Sequence, residues 1–301
     1  MTEATQEKRP VISLIASAAR PENWMGLYES IGDNEVDFEL VMVGPNPPKQ
    51  DLPHNIIYVK SNVKPAQCAE IASRHANGQL LLMTADDMLF ITDRPLDKLY
   101  ALYVENKHDD IIVSCRYTNT TDDAHRFFQG NPDSVFLPMY GLISAELWRK
   151  IGGIDRRFIA VSWDTDIAMR VLALGGRVVL SDVYIDSDME TSDSPRSRGS
   201  ALARDHKPTD RALVDRLWSV DGKNHFNRTL PVKPLSDVDI LVKSQPPEGR
   251  WKYQNDIFNK FITSKLFFWL NTRQRITAGQ IKRFRIDKIP YYLKKNFLRR
   301  T

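Results

Sequence analysis

Cysteine is scarce, with only Cys68 and Cys115 in 301 residues. They sit in a predicted helix and a predicted strand with no close-spaced partner, which excludes a disulfide framework and a thiolate metal site and predicts two buried free thiols. Long apolar runs are missing too. Hydrophobic residues make up 42% of the chain and charged ones 27%, so nothing approaches the length of a spanning helix. Met1 to Pro10 is polar and mixed in charge, without the apolar stretch of a secretory leader, and a cytoplasmic protein is expected. No internal repeat is visible. No Gly-rich, Lys/Arg-bearing phosphate loop follows the first apolar run, which argues against a nucleotidyltransferase, and no recognised nucleic-acid motif is present.

What is present alternates. Val11 to Ala16, Phe38 to Val43, Ile56 to Val59 and Leu80 to Met83 are short apolar runs that read as buried strands. Between them, Pro21 opens a helix with Trp24, Leu27, Tyr28 and Ile31 at helical spacing, and Ala66 to Ala76 forms a second that stops at Asn77-Gly78. Further on come a helix over Pro95 to Asn106, a strand over Asp110 to Tyr117 and a polar loop from Thr118 to Asp133. A short helix ends at Gly152-Gly153, a second spans Ile167 to Leu174, and a strand covers Arg177 to Ile185. Such alternation predicts an α/β fold with a doubly wound, mostly parallel sheet. Residues 1–225 are read as this domain, 226–250 as a Pro-rich linker, and 251–301 as a basic amphipathic helical tail.

Net charge is +4, and much of the excess lies in that tail, where aromatic and aliphatic residues mix with Lys and Arg. A tail of this kind can lie on an anionic membrane surface or pack on the domain. Two acidic segments stand out elsewhere: Ala85-Asp86-Asp87 at the end of the fourth strand, and Trp163-Asp164-Thr165-Asp166 at the mouth of a helix. Ligands of open parallel sheets bind at the carboxyl ends of the strands, which is where the first segment falls. By residue type alone, Asp86-Asp87 also suits a turn, Asp164 to Asp166 also suits a helix N-terminus, and Trp163 also suits a core.

Taken in order, the opening strand with Ala19-Arg20-Pro21-Glu22, the strand Phe38 to Val43, the run Asn77-Gly78 to Asp87, the segment Ile151-Gly152-Gly153-Ile154-Asp155-Arg156-Arg157-Phe158 and Asp164-Thr165-Asp166-Ile167 resemble family 2 glycosyltransferases of the GT-A fold. The similarity runs from about Val11 to Ile185, more loosely to Trp218. It implies a Rossmann-like GT-A sheet and inverting transfer of a sugar from a nucleotide-diphosphate sugar to a glycan or lipid-linked hydroxyl.

In that pattern an Asp-x-Asp element falls on Thr84 and Asp86, with Asp87 beside it, and holds ribose and Mn2+ or Mg2+. Asp164 is the implied general base and Asp166 an orienting residue. Ser17, Ala18, Arg20, Glu22, Lys64, Arg196 and Arg198 are implied on the donor side, His206 as a second metal ligand, and Trp163 and Tyr140 at the acceptor. Three positions depart from the pattern: Thr84 and Trp163 stand where acids are expected, and Gly44-Pro45 where an Asp reads the base. These departures motivate a rival reading, a catalytically silent nucleotide- or sugar-binding module. A peripheral-membrane scaffold acting through the tail is a third.

Overall fold

A computed structural model of the chain describes residues 10–107, 110–119, 124–126, 139–187, 196–219 and 233–238. The expected linker lies largely outside these residues, and the tail over 251–301 lies wholly outside them. Strands are β1 (Ile12–Ser17), β2 (Phe38–Gly44), β3 (Ile56–Lys60), β4 (Leu80–Ala85), β5 (Met88–Phe90), β6 (Ile111–Asn119), β7 (Ala124–Arg126), β8 (Met139–Ser144) and β9 (Arg177–Ser187). Helices are α1 (Trp24–Ile31), α2 (Pro65–His75), α3 (Pro95–Glu105), α4 (Ala145–Lys150), α5 (Trp163–Ala173) and α6 (Arg196–Trp218).

The strands form one sheet in the order β3-β2-β1-β4-β8-β6-β9-β5, with β7 paired to β6. The first four are parallel, as expected. In the second half β8 runs antiparallel to both β4 and β6, while β6 and β9 are parallel. The result is the α/β, Rossmann-like architecture that the GT-A resemblance implies.

Side-chain alternation along each strand splits the core in two. Ile15, Val41, Val43, Leu81 and Met83 face α2, α4, α5 and α6, whereas Leu14, Ala16, Leu40, Met42 and Leu82 face α1 and α3. Both layers are fully buried, which is why these strands read as continuous apolar runs rather than as alternating ones.

A polar knot fixes where β4 begins. Glu39, buried in β2, accepts from Ser13 Oγ at 2.6 Å, from the Asn77 N–H at 2.6 Å and from Asn77 Nδ2 at 3.1 Å, and the Gly78 N–H donates to Ser13 Oγ at 2.8 Å. A side chain at Gly78 would meet the Ser13 backbone N at 2.6 Å, so the Asn-Gly pair ends α2 and also permits this close approach.

Two expectations change. Residues 187–204 are rich in Ser, Asp and Arg and by composition read as a mobile polar connector, but they include the end of β9 and the start of α6 from Arg196. The physical reason lies in its C-terminal half: Asp210, Leu213, Val214, Leu217 and Trp218 recur at helical spacing and are buried, so one packed stripe carries a polar first half. The second change concerns α5, which begins at Trp163 and places Asp164 and Asp166 inside its first turn. Cys68 and Cys115 are buried free thiols, as expected. No helix among the described residues is long and apolar enough to cross a membrane.

Candidate active site

Strand order reverses at β1, whose connection leads outward to β2 and β3 before the chain returns to place β4 on its other side. Such a switch point leaves a crevice beyond the strand ends, because the two following loops diverge. Here a cleft of about 1540 Å³ opens there, lined by the turns after β1, β2 and β4 and closed on its far side by residues 160–165 and by α6. Both acidic segments line it, although nearly 80 residues separate Asp86 from Asp164.

On the first wall, Asp86 and Asp87 occupy the turn between β4 and β5. Asp86 is 2% exposed, and Arg20 satisfies both of its carboxylate oxygens: the Arg20 backbone N–H donates to Oδ2 at 2.7 Å, and Nε and Nη2 donate to Oδ1, the former at 3.1 Å. Arg20 Nη2 also reaches Asp87 Oδ2 at 2.9 Å. Burial raises the Asp86 carboxyl above its ordinary value and Arg20 opposes that shift. For Arg20, burial works against the charge, yet the two carboxylates outweigh it and hold the guanidinium above its ordinary value.

Thr84, 3% exposed, donates its hydroxyl to the Ile15 carbonyl at 3.0 Å and so ties β4 to β1. Its sequence-expected contact with ribose therefore falls to a group already engaged in the sheet.

Ser17, Ala19, Arg20 and Glu22 line the cleft. Ala18 does not: it is fully buried, with its N–H on the Val43 carbonyl at 2.8 Å. That same crossing explains Gly44. A Cβ there would lie 1.9 Å from the Ala18 oxygen, so the end of β2 admits no side chain, and in particular no base-reading Asp. The wall it leaves is built instead by 46–50, with Asn46 Nδ2 donating to the Ala19 carbonyl at 2.7 Å.

Lys64 caps α2 with its backbone N–H on Gln67 Oε1 at 3.1 Å; its neighbour Pro65, not Lys64, lines the cleft.

The second wall is held from behind. Asp166 is fully buried and does not face the cleft. It pairs with Arg170 Nη2 and accepts from Trp218 Nε1 at 2.8 Å, while Arg170 Nη1 donates to the carbonyls of Ile151 and Gly153 at 2.8 and 2.5 Å. Asp166 thus fixes Arg170, which holds the Gly152-Gly153 turn, and ties α5 to Trp218 of α6. The expectation of Asp166 among the catalytic residues gives way to this one, because a carboxylate sealed in the core cannot meet substrate.

Asp164, two residues earlier, does line the cleft, next to Trp163 and Thr165. Its Oδ1 accepts from the Thr165 N–H at 2.9 Å, and no cation pairs with it among the described residues. Withdrawal from water therefore dominates and pushes its pKa to about 6, against the small pull of amide N–H groups.

Two residues of the cleft have strained backbone, one of them just before α5. Ser162 has φ +62° and Tyr140 φ +49°, the left-handed region that such residues seldom adopt, and both line the cleft. Residues 159–161 are held by Asp210 of α6, which accepts the N–H groups of Ile159, Ala160 and Val161 at 3.1, 2.8 and 2.9 Å. Burial pushes Asp210 to about 6 in spite of these donors. Trp163 lines the cleft and also packs against the core.

Three contributors escaped the sequence reading: Lys207, Arg211 and Asp210, all on α6. Lys207 and Arg211 line the cleft. Their spacing of four on a helix was the available signal, since it puts two cations on one face. The α6 residues that were named fare differently. His206 is half-buried and does not line the cleft, and the side chains of Arg196 and Arg198 lie outside the described residues.

The expected Mn2+ or Mg2+ does not fit the groups present. A divalent cation of this kind needs several oxygen ligands in near-octahedral geometry. Asp86 gives both oxygens to Arg20, Thr84 is uncharged and turned to Ile15, and no cluster of three His, Cys, Asp or Glu suited to a metal exists among the described residues.

No protein-family model matches the chain, and no curated protein does. Solved structures are similar in backbone course. TarS 1-349 of S. aureus aligns at 16% identity over 57% of this chain and 59% of its own length, with a TM-score of 0.44. Its complex with UDP-GlcNAc aligns at 15% identity over 61% of each chain with a TM-score of 0.45. Its complex with UDP aligns at 14% identity over 68% of this chain and 63% of that one, with a TM-score of 0.47. The chain spans about three fifths of the length of these structures.

Proposed function

We propose that the chain transfers a glycosyl group from a nucleoside-diphosphate sugar to a hydroxyl of a glycan or lipid-linked acceptor, with inversion at the anomeric carbon. One observation carries this reading: Asp164, a carboxyl with no cationic partner among the described residues and a pKa near 6, faces the same cleft as the Arg20-Asp86-Asp87 turn at the strand ends. The nucleotide occupies the side lined by Ser17, Ala19, Arg20, Glu22 and 46–50. The acceptor enters beside Tyr140 and Trp163, whose ring suits the apolar face of a sugar.

In the transfer step, the bond between the anomeric carbon and the β-phosphate oxygen breaks and its electron pair stays on the phosphate. The acceptor oxygen bonds to the anomeric carbon from the opposite face and gives its proton to Asp164 Oδ. A pKa near 6 leaves Asp164 ionised at neutral pH while keeping it a stronger base than an exposed carboxylate. A single base on the face opposite the leaving group gives inversion, by the logic that governs inverting sugar hydrolysis.

The test is a panel of nucleotide sugars and glycan acceptors, with product anomers identified by NMR and Asp164→Asn run beside wild type. Transfer lost by about a hundredfold or more supports the assignment; equal transfer by the Asn variant removes Asp164 from the role.

A second reading has its own support. Thr84, Trp163 and Gly44 stand where acids were expected, which suits a silent nucleotide- or sugar-binding module. Donor binding by calorimetry without turnover on any acceptor would favour it.

A further inference from the structure

We infer that the diphosphate in this cleft is held and neutralised by the protein's own cations, Lys207 and Arg211 of α6 with Lys49, and that no divalent cation on Asp86 takes part. The inference rests on the nucleotide-sugar reading above and names how its charge is met.

Its first ground is the state of the Asp86-Asp87 turn. Three donors of one residue cover Asp86: the Arg20 N–H at 2.7 Å, Nε at 3.1 Å and Nη2. The same guanidinium continues to Asp87 at 2.9 Å. A metal bound there would have to share those oxygens with a full positive charge in direct contact with them, and like charges at that separation repel strongly in a site of low exposure. Displacing Arg20 instead would strand a guanidinium that is 14% exposed. The turn is therefore already supplied with its cation.

The second ground is the opposite wall. Lys207 and Arg211 lie one helical turn apart, both exposed, both on the cleft, and neither has a carboxylate partner among the described residues. Lys49, at the end of the turn after β2, is exposed and lines the same cleft. Against them, the cleft's remaining acids are Glu22 at its rim and Asp164, since Asp86 and Asp87 are engaged by Arg20.

A nucleoside-diphosphate sugar brings two negative charges, and the departing diphosphate brings about one more near neutral pH. Three cations without a carboxylate partner among the described residues match that load. Arg adds geometry as well, because its fork meets two phosphate oxygens at once.

Position reinforces the assignment. Asp210 lies between Lys207 and Arg211 in sequence and anchors α6 to residues 159–161, which lead into Asp164. The helix that would hold the leaving group is thus the helix that positions the base.

Calorimetric titration of the full chain with UDP, GDP, ADP, CDP and dTDP in turn, in EDTA and again in excess MnCl2, tests the inference. The expected result is that at least one diphosphate binds in EDTA, with a Kd within about threefold of that in Mn2+. Lys207→Ala/Arg211→Ala should then weaken it by about tenfold or more while its melting temperature stays that of wild type. Mn2+ alone, followed by its EPR signal, should show no stoichiometric site.

Binding that appears only with Mn2+, or a one-to-one Mn2+ site abolished by Asp86→Asn, overturns the inference and leaves the nucleotide-sugar reading standing. Absence of binding by all five diphosphates under both conditions overturns both. Metal-independent binding untouched by the double variant overturns the assignment to α6.

Discussion

On the β1/β4 wall of the cleft, Asp86 surrenders both oxygens to Arg20; on the α5 wall, among the described residues, Asp164 has backbone N–H groups alone. Asp86 is buried in the turn after β4 and Asp164 is half-buried in the first turn of α5, and burial raises both. What separates them is a guanidinium. Where it is present, the carboxylate is tied into the structure; where it is missing, the carboxyl is poised to exchange a proton near neutral pH. The contrast repeats within α5 itself, where Asp166, two residues from Asp164, is sealed in the core on Arg170 and Trp218.

The strongest way to break the contrast is to remove a paired acid. Asp166→Ala leaves Arg170 charged and fully buried, and it is expected to lose about 3–5 kcal/mol in chemical denaturation. Asp166→Leu combined with Arg170→Met should lose less than Asp166→Ala alone, because no charge is then stranded.

Removing the unpaired acid should do the opposite to stability. With its folded pKa near 6 against 3.8 when free, Asp164 binds its proton more tightly folded than unfolded. Stability therefore falls as pH rises from about 4 to 6 and stays lower above that. Asp164→Asn, which never ionises, should gain up to about 3 kcal/mol over wild type above pH 6, with the gain gone below pH 4, while transfer falls by about a hundredfold or more. In wild type, kcat/KM should decline below about pH 6 as the base takes up its proton. A melting curve and a pH profile on the same two proteins check both halves.

Asp210 connects the walls. Asp210→Ala frees three buried N–H groups of 159–161 and should cost roughly 1–3 kcal/mol in stability. Transfer should drop tens-fold through misplacement of Asp164, with the acid limb of the pH profile kept. Loss of that limb in the Ala variant would assign it to Asp210 instead. The mildest probe is Thr84→Val, which removes one hydrogen bond to Ile15 and should cost about 1 kcal/mol with transfer retained.

Much of the architecture was legible because its cause is local. The four apolar runs that became β1 to β4 lie in a sheet buried on both faces, and such burial writes itself into sequence as an unbroken stretch. Asn77-Gly78 marked the end of α2. Of the residues singled out in sequence, Asp86, Asp87, Asp164, Arg20 and Tyr140 meet in one cleft, and Asp166 does not. By contrast, the first half of α6 reads from composition as a polar connector, since its Ser-, Arg- and Asp-rich sequence carries no apolar period. The strand β5 is three residues long, too short to leave a period.

The sequence by itself determined the strand and helix alternation, the buried thiols and the placement of Asp86-Asp87 at a strand end, because hydrophobic period and turn chemistry act over a few residues. Which aspartate would be neutralised and which left bare was decided only in three dimensions. Arg20 lies 66 residues from Asp86, and Asp210 lies about 50 from the loop it holds. A carboxylate's character depends on the charge and solvent within a few ångströms of it, and no local pattern records what a distant segment will bring there.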